Sequence, residues 1–383
     1  MNVVLIIFAY LTLFVFGLID NSRGPTYPHI LSFFNLSKST GSLMFSLSSG
    51  FAFIMTLVSN KIFRKFGVNN SVKAAVFLMV LAPLFYGYFS RFEDGFYPFL
   101  IGSFILGTSV GILSVGINLI LSRNTNDSNR QKLFSGLHSM YGLASFGAPL
   151  LLSFILSFGI SWQDYYLILA IFPFLLLLWS TRIKNDVFDE KSSSLKKLSF
   201  KATIPLGILL SFYVCSEILM STRMVIFLSE SWGLDQAHSS KYLSYFFLLL
   251  LLGRFSFAFI NFRISSANLL KISSISTLVI LSLGTFVSPD FLPLVGLTMS
   301  YFFPCALGWL SSLYPDYIDT LIPNVMKFVN GMIVIIHGVF GIVSDGFGIK
   351  LAFSLAIVFQ LIVLFLLFRH RSSNNSAIEL NTV

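Results

Sequence analysis

The chain has 383 residues, of which 55% are hydrophobic and only 11% charged, with 25 Lys and Arg against 16 Asp and Glu. A water-soluble domain of this size could not cover its surface with so little charge, which excludes a soluble enzyme and implies an integral membrane protein. The net charge of +9 calls for no nucleic acid, since basic loops that face anionic headgroups account for it.

Crossing the hydrocarbon takes about 20 apolar residues in a helix. Twelve segments of that kind follow one another, centred near Gly17, Ala52, Leu81, Gly111, Gly147, Pro173, Ser216, Leu249, Val279, Tyr301, Val334 and Val358. The expected fold is therefore an all-α membrane protein of twelve transmembrane helices in two pseudo-symmetric six-helix bundles. The first segment has no basic residue before it and leads to no small-residue cleavage site, so it reads as a retained helix, not a secretory signal. Between Arg182 and Ala202 the chain turns polar and rich in Ser and Lys, as in a linker. This divides an N-terminal bundle (1–183) from a C-terminal bundle (203–371) by a cytoplasmic linker (184–202), within which a short membrane-surface helix is one option. The tail, 372–383, reads as disordered.

Lys and Arg are distributed unevenly about these segments. With the N-terminus inside, 18 of the 25 fall on inner loops and the tail, and only Lys38, Arg91, Lys241 and Lys350 on outer loops. Both termini are thus expected in the cytoplasm, and a bacterial inner membrane is the expected home. The other three, Arg23, Arg223 and Arg254, stand within or at the ends of segments.

Asp20 and Glu217 stand near the middle of the first and seventh segments, where a charge costs roughly 2.5–3.5 kcal/mol on insertion scales. One acid in each half points to a transporter that uses them. Asp20 and Arg23, three residues apart, can pair on one helix face, either as a structural tie or as a proton switch. Glu217 has no basic neighbour within a turn of its own helix and is the stronger candidate for a proton or cation site. Arg23 and Arg223 lie outward of the two acids, where they would hold an anionic or polyhydroxyl solute through forked hydrogen bonds, act as an outer gate, or snorkel to the headgroups. Asn118, His138, Asn330 and His337 are polar residues in apolar segments: His138 is a candidate proton carrier, the others candidate solute contacts, and each can equally be an interhelical hydrogen bond. Tyr301 and Trp309 flank YFFPCALG, where Pro304 interrupts the backbone ladder, and either could stack on a sugar face. Lys61, Arg64, Arg254 and Arg263 are expected in cytoplasmic gate loops.

Cys215 and Cys305 read as packing residues. No glycine-rich phosphate loop and no metal-ligand spacing occur, so no enzyme activity, ATP use, metal or cofactor is expected.

The chain resembles the major facilitator superfamily along most of its length. NKIFRKFG after the second segment and LLGRFSFAFINFRI after the eighth stand where that superfamily has its basic loops, although the usual aspartate is missing from the first. Within it, PHILSFFNLS, FLIGSFILGTSVGILSVGIN, LHSMYGLASFGAP, FYVCSE and GIVSDGFG are similar to the fucose permease group of sugar and proton symporters. That resemblance adds Tyr141 to the candidate solute contacts. It also exposes two departures, because the group's acids on helices one and four fall on Gly24 and Ser114. The resemblance implies a proton- or sodium-coupled carrier of a small polar solute, a sugar or related metabolite, acting as a monomer among membrane lipids. A proton-exchanging exporter of amphiphiles is the alternative, and a non-transporting sensor is a third reading.

Overall fold

A computed structural model describes residues 2–92, 95–124, 127–183, 200–259, 264–313 and 318–373. The helices are α1 (Val3–Phe33), α2 (Lys38–Phe66), α3 (Val68–Gly87), α4 (Phe96–Arg123), α5 (Asp127–Ser157), α6 (Trp162–Ser180), α7 (Phe200–Trp232), α8 (Gln236–Phe259), α9 (Ser266–Phe286), α10 (Leu292–Met299), α11 (Phe302–Leu313), α12 (Ile318–Phe347) and α13 (Ile349–Ser373). Local chemistry sets their ends. Ser37, Ser161 and Ser265 each turn a hydroxyl back onto a free N–H of the first turn of α2, α6 and α9. Gly67 stops α2 and starts α3 at φ +80°, a conformation that only glycine adopts without strain.

Among the described residues eleven spans are long and apolar enough to cross a membrane, one of them Pro289–Leu307, which joins α10 to the first half of α11. The helix α8 is also long enough, its 24 residues extending about 36 Å, and it packs beside α5, α7 and α10. Twelve crossings result. The tenth is the exception to the expected pattern, for the helix breaks at Ser300 and Tyr301, the point expected at its centre. The expected linker lies mostly outside the described residues; α7 is already helical at Phe200, and α13 continues to Ser373.

The N-terminal bundle packs around buried aromatics. Tyr165 and Tyr166 meet the hydroxyls of Ser22 (2.6 Å) and Thr26 (2.8 Å), which ties α6 to α1 through groups that would be orphaned in hydrocarbon. In the other bundle Tyr213 stacks on Phe302 and Phe227 on Phe353, at centroid distances of 3.9 and 4.1 Å.

The bundles meet where α1 faces α7, α2 faces α12 and α5 faces α8. We call the end where α1 stops and α2 starts the upper end. There the seam is tight. The Asp345 carboxylate of α12 accepts from the N–H groups of Lys38 and Ser39, both at 2.8 Å, and so caps α2 from the opposite bundle. Lys38 also pairs with Glu230 at 3.0 Å, and the Gln236 amide donates to the Pro25 carbonyl. Gly24 brings α1 onto α7 so closely that a Cβ would stand 2.9 Å from the Ser221 carbonyl oxygen. This accounts for the departure noted above: an aspartate at position 24 would have no room in this arrangement.

Candidate functional site

Below the tight seam lies a cavity of about 220 Å³, walled by both bundles. From α1 it takes Asp20, Asn21 and Arg23; from α2, Phe45, Ser48, Ser49, Ala52, Phe53 and Thr56. Tyr141 comes from α5, Ile218, Ser221 and Thr222 from α7, and Asn330, Ile333 and His337 from α12. Ser114 of α4, on the same wall, is exposed, so the cavity is reached by solvent.

Asp20 is in this wall with its carboxylate fully engaged. One oxygen pairs with the Arg23 guanidinium, and the other accepts from the Tyr141 hydroxyl at 2.9 Å. The i, i+3 spacing on α1 permits the first contact, and Tyr141 is aimed by its ring packing on Phe16 at 5.6 Å. About a fifth of the Asp20 side chain stays exposed, so a proton can reach it.

Glu217 has a different setting. It accepts at 3.1 Å from Arg254, a residue of α8, and does not line the cavity, although its neighbour Ile218 does. Glu217 has no basic neighbour within a turn of its own helix, as expected, but one reaches it from another helix. The expectation for Arg254 is corrected, for it lies inside α8 and not on a gate loop.

The same guanidinium donates through Nε to the Ser300 carbonyl at 3.3 Å. Pro304 explains why that oxygen is available, because proline has no N–H to return to the residue four before it. The two preceding carbonyls, at the broken end of α10, are also held by side chains: Tyr213 of α7 donates to Met299 O and Ser273 of α9 to Thr298 O, both at 2.6 Å. Three consecutive carbonyls are therefore satisfied by three different helices, as irregular backbone at membrane depth demands.

Arg223, expected as a solute contact, is fully buried and does not line the cavity. Its Nη2 donates to Ser42 at 3.2 Å, whereas Nε and Nη1 have no partner. Three rings surround the guanidinium: Phe45 at 4.2 Å, Tyr27 at 4.4 Å and Phe340 at 4.7 Å from its central carbon to each centroid. Cation–π contacts of this desolvated kind contribute about 2 kcal/mol each, which offsets part of the cost of an uncompensated buried charge. Arg23 reaches the same Phe45 ring at 5.4 Å, so the two arginines approach one another through an aromatic ring and not across open cavity. His337 stacks on it too, at 5.0 Å.

The other expected residues divide. Asn330 and His337 line the cavity. Asn118 turns its amide back to Ser114 O of its own helix at 2.7 Å. His138 is exposed on α5 and is an electrostatic neighbour of Arg254 across the seam. Tyr301 and Trp309 are absent from the cavity wall: the first stacks on Phe257 at 5.5 Å beside the helix break, and the second packs against the core. Lys61 and Arg64 are exposed at the lower end of α2, and Arg263 lies outside the described residues. Among the described residues no group of three His, Cys, Asp or Glu is placed to hold a metal ion. Sequence reasoning missed the polar stripe of α2. Its signal was present in SLSSGFAFIMT, where Ser48, Ala52 and Thr56 recur every four residues along one helix face.

Residues 9–344 match the family model for the Major Facilitator Superfamily. The chain is a member of that superfamily. Among curated proteins it is 24% identical to the glucose/mannose transporter GlcP of Bacillus subtilis (strain 168) over 340 residues, 82% of this chain and 81% of that protein. Its fold matches the inward open structure of the xylose transporter XylE from E. coli, with a TM-score of 0.77 at 12% identity and 94% of each chain covered. A superfamily transporter, FucP, in the outward conformation matches with a TM-score of 0.62 at 18% identity, covering 96% of this chain and 98% of that one. As a superfamily member the chain is a multi-pass membrane protein of a transporter family, with the helices and central cavity that secondary transport requires.

Proposed function

We propose that this superfamily member is a proton-coupled carrier of a small polar solute, a sugar or sugar derivative, with Asp20 as the coupling acid. The observation that carries the reading is the Asp20–Arg23–Tyr141 group in the wall of a cavity shared by both bundles. In hydrocarbon a carboxylate is kept charged by its donors. Adding a proton to Asp20 frees Arg23 and Tyr141 to bond a solute instead, so that proton and solute occupy one connected site. A sodium ion is the poorer partner, since it would have to displace both donors to gain two of the several oxygen ligands it needs.

The hydroxyl- and amide-bearing wall suits a polyol, in keeping with a relative named a glucose/mannose transporter. The excess of Lys and Arg on the lower loops supports a cytoplasmic lower end, with both termini inside. In that orientation the conformation is closed to the outside and open inward. One chain supplies both sides of the cavity, so a monomer suffices.

Purified protein in liposomes with an alkaline interior tests this. Labelled D-glucose, D-mannose or D-glucuronate should accumulate only while the pH gradient lasts, and Asp20→Asn should abolish accumulation while retaining solute counterflow. Gradient-independent uptake would overturn proton coupling, and exclusion of a cationic dye without sugar movement would assign the cavity to amphiphile export.

A further inference from the structure

The region above the cavity carries more positive charge than the residues around it neutralise: Arg23 and His337 stand in the wall, and Arg223 is fully buried behind Phe45. Arg23 is balanced by Asp20, but Arg223 meets no carboxylate, and its Nε and Nη1 are buried without a partner. Nη1 of Arg23 and Nδ1 of His337 are orphaned beside them. All three side chains converge on the Phe45 ring, within 5.4 Å of its centroid. A cluster of unfilled donors with one surplus positive charge in a low-dielectric site is matched by an anion, and by a planar carboxylate best of all, because a guanidinium binds it through two parallel hydrogen bonds.

The rings around Arg223 explain why the charge can persist with no anion bound. Tyr27 and Phe45 belong to the N-terminal bundle, Arg223 and Phe340 to the C-terminal one. The cage exists only while the upper seam is shut. Opening that seam would withdraw Tyr27 and Phe45, two of the three rings, and leave the guanidinium with Phe340 alone, facing the entering solute. Closing it restores the cage, which competes with the solute for the same guanidinium.

We propose that Arg223, assisted by Arg23 and His337, is an anion-recognition site, that the solute carries a carboxylate, and that re-formation of the aromatic cage drives its release on the cytoplasmic side. This rests on the reading of the cavity as a solute pathway. The probes are D-glucuronate and D-glucose, which differ only in a carboxylate against a hydroxymethyl group at C6. In proteoliposomes, counterflow of D-glucuronate should exceed that of D-glucose at least about tenfold, and Arg223→Gln should erase the preference. Arg223→Lys should keep part of it, since the charge remains but the fork is lost. Phe45→Leu, which keeps the charge and removes a ring that the opposite bundle contributes only on closure, should tighten D-glucuronate binding and slow its release. Each variant must elute as a single species and keep a cooperative melting transition, so that loss of preference is separated from misfolding.

Equal or better counterflow of D-glucose, or an Arg223→Gln protein that still prefers D-glucuronate, overturns the anion site. If D-glucose nonetheless accumulates under a pH gradient in an Asp20-dependent way, the proton-coupled carrier stands and only the anion site falls. Movement of neither sugar overturns both.

Discussion

The two halves each bring one acid to mid-membrane, yet they bind it differently. The two carboxylates are about equally exposed, but Asp20 is held by a guanidinium from its own helix and a phenol from α5, both bordering the cavity. Glu217 is held by Arg254 of a neighbouring helix, and that arginine also anchors the broken α10–α11 crossing. The first arrangement can exchange a proton without disturbing the fold, because its donors border the cavity and a solute can replace the carboxylate as their acceptor. The second cannot lose its charge without loosening the contact between α7 and α8. Under the proposed function, similar residues at related positions would divide the labour, with coupling in one half and structure in the other.

The sharpest way to break that comparison is to neutralise each acid in turn. Asp20→Asn should reduce gradient-driven accumulation about a hundredfold or more, whereas Glu217→Gln should leave the accumulation ratio within about threefold of the parent while lowering thermal stability by about 1 kcal/mol. An inverted result, with coupling lost only in Glu217→Gln, would exchange the two roles. Next in size is Arg254→Gln, which leaves both Glu217 and Ser300 O short of a donor. It should cost about 2 kcal/mol, read as a lower melting temperature in detergent, and a Glu217→Gln, Arg254→Gln double variant should recover part of that loss. The smallest effect is expected from Pro304→Ala. The new N–H can return Ser300 O to the helical ladder and release Arg254 Nε, so stability should move by less than about 1 kcal/mol and the transport rate by less than about threefold.

Most of the architecture is legible in the chain because lipid imposes one rule everywhere: apolar stretches of fixed length, with cations collected on one side. Helix number and the asymmetry of the loops follow from that rule alone. Side-chain partners do not. Nothing near Glu217 in the chain announces Arg254, 37 residues away, since the contact is made by the crossing of α7 and α8. The placement of Tyr301 beside Pro304 suggested an accessible aromatic, but the freed backbone attracted donors from three helices and the ring was taken up by Phe257. Asp345 stood in GIVSDGFG only as part of a family likeness, while it caps a helix of the opposite bundle, a contact visible only once α2 and α12 are side by side. Asp20, Arg23, Asn330 and His337 were foreseeable because a polar group in hydrocarbon needs a reason to be there.

The knot at the interrupted tenth crossing has a mechanical consequence. With Tyr213, Ser273 and Arg254 each gripping a different carbonyl between Thr298 and Ser300, α7, α8 and α9 are fastened to one short stretch of chain. Shifting any of these helices alone would leave an amide oxygen bare in oil. That half of the molecule would therefore swing as a block, with the give that a turnover demands left to the joint between blocks, where Gly24 packs on Ser221 and Asp345 caps α2.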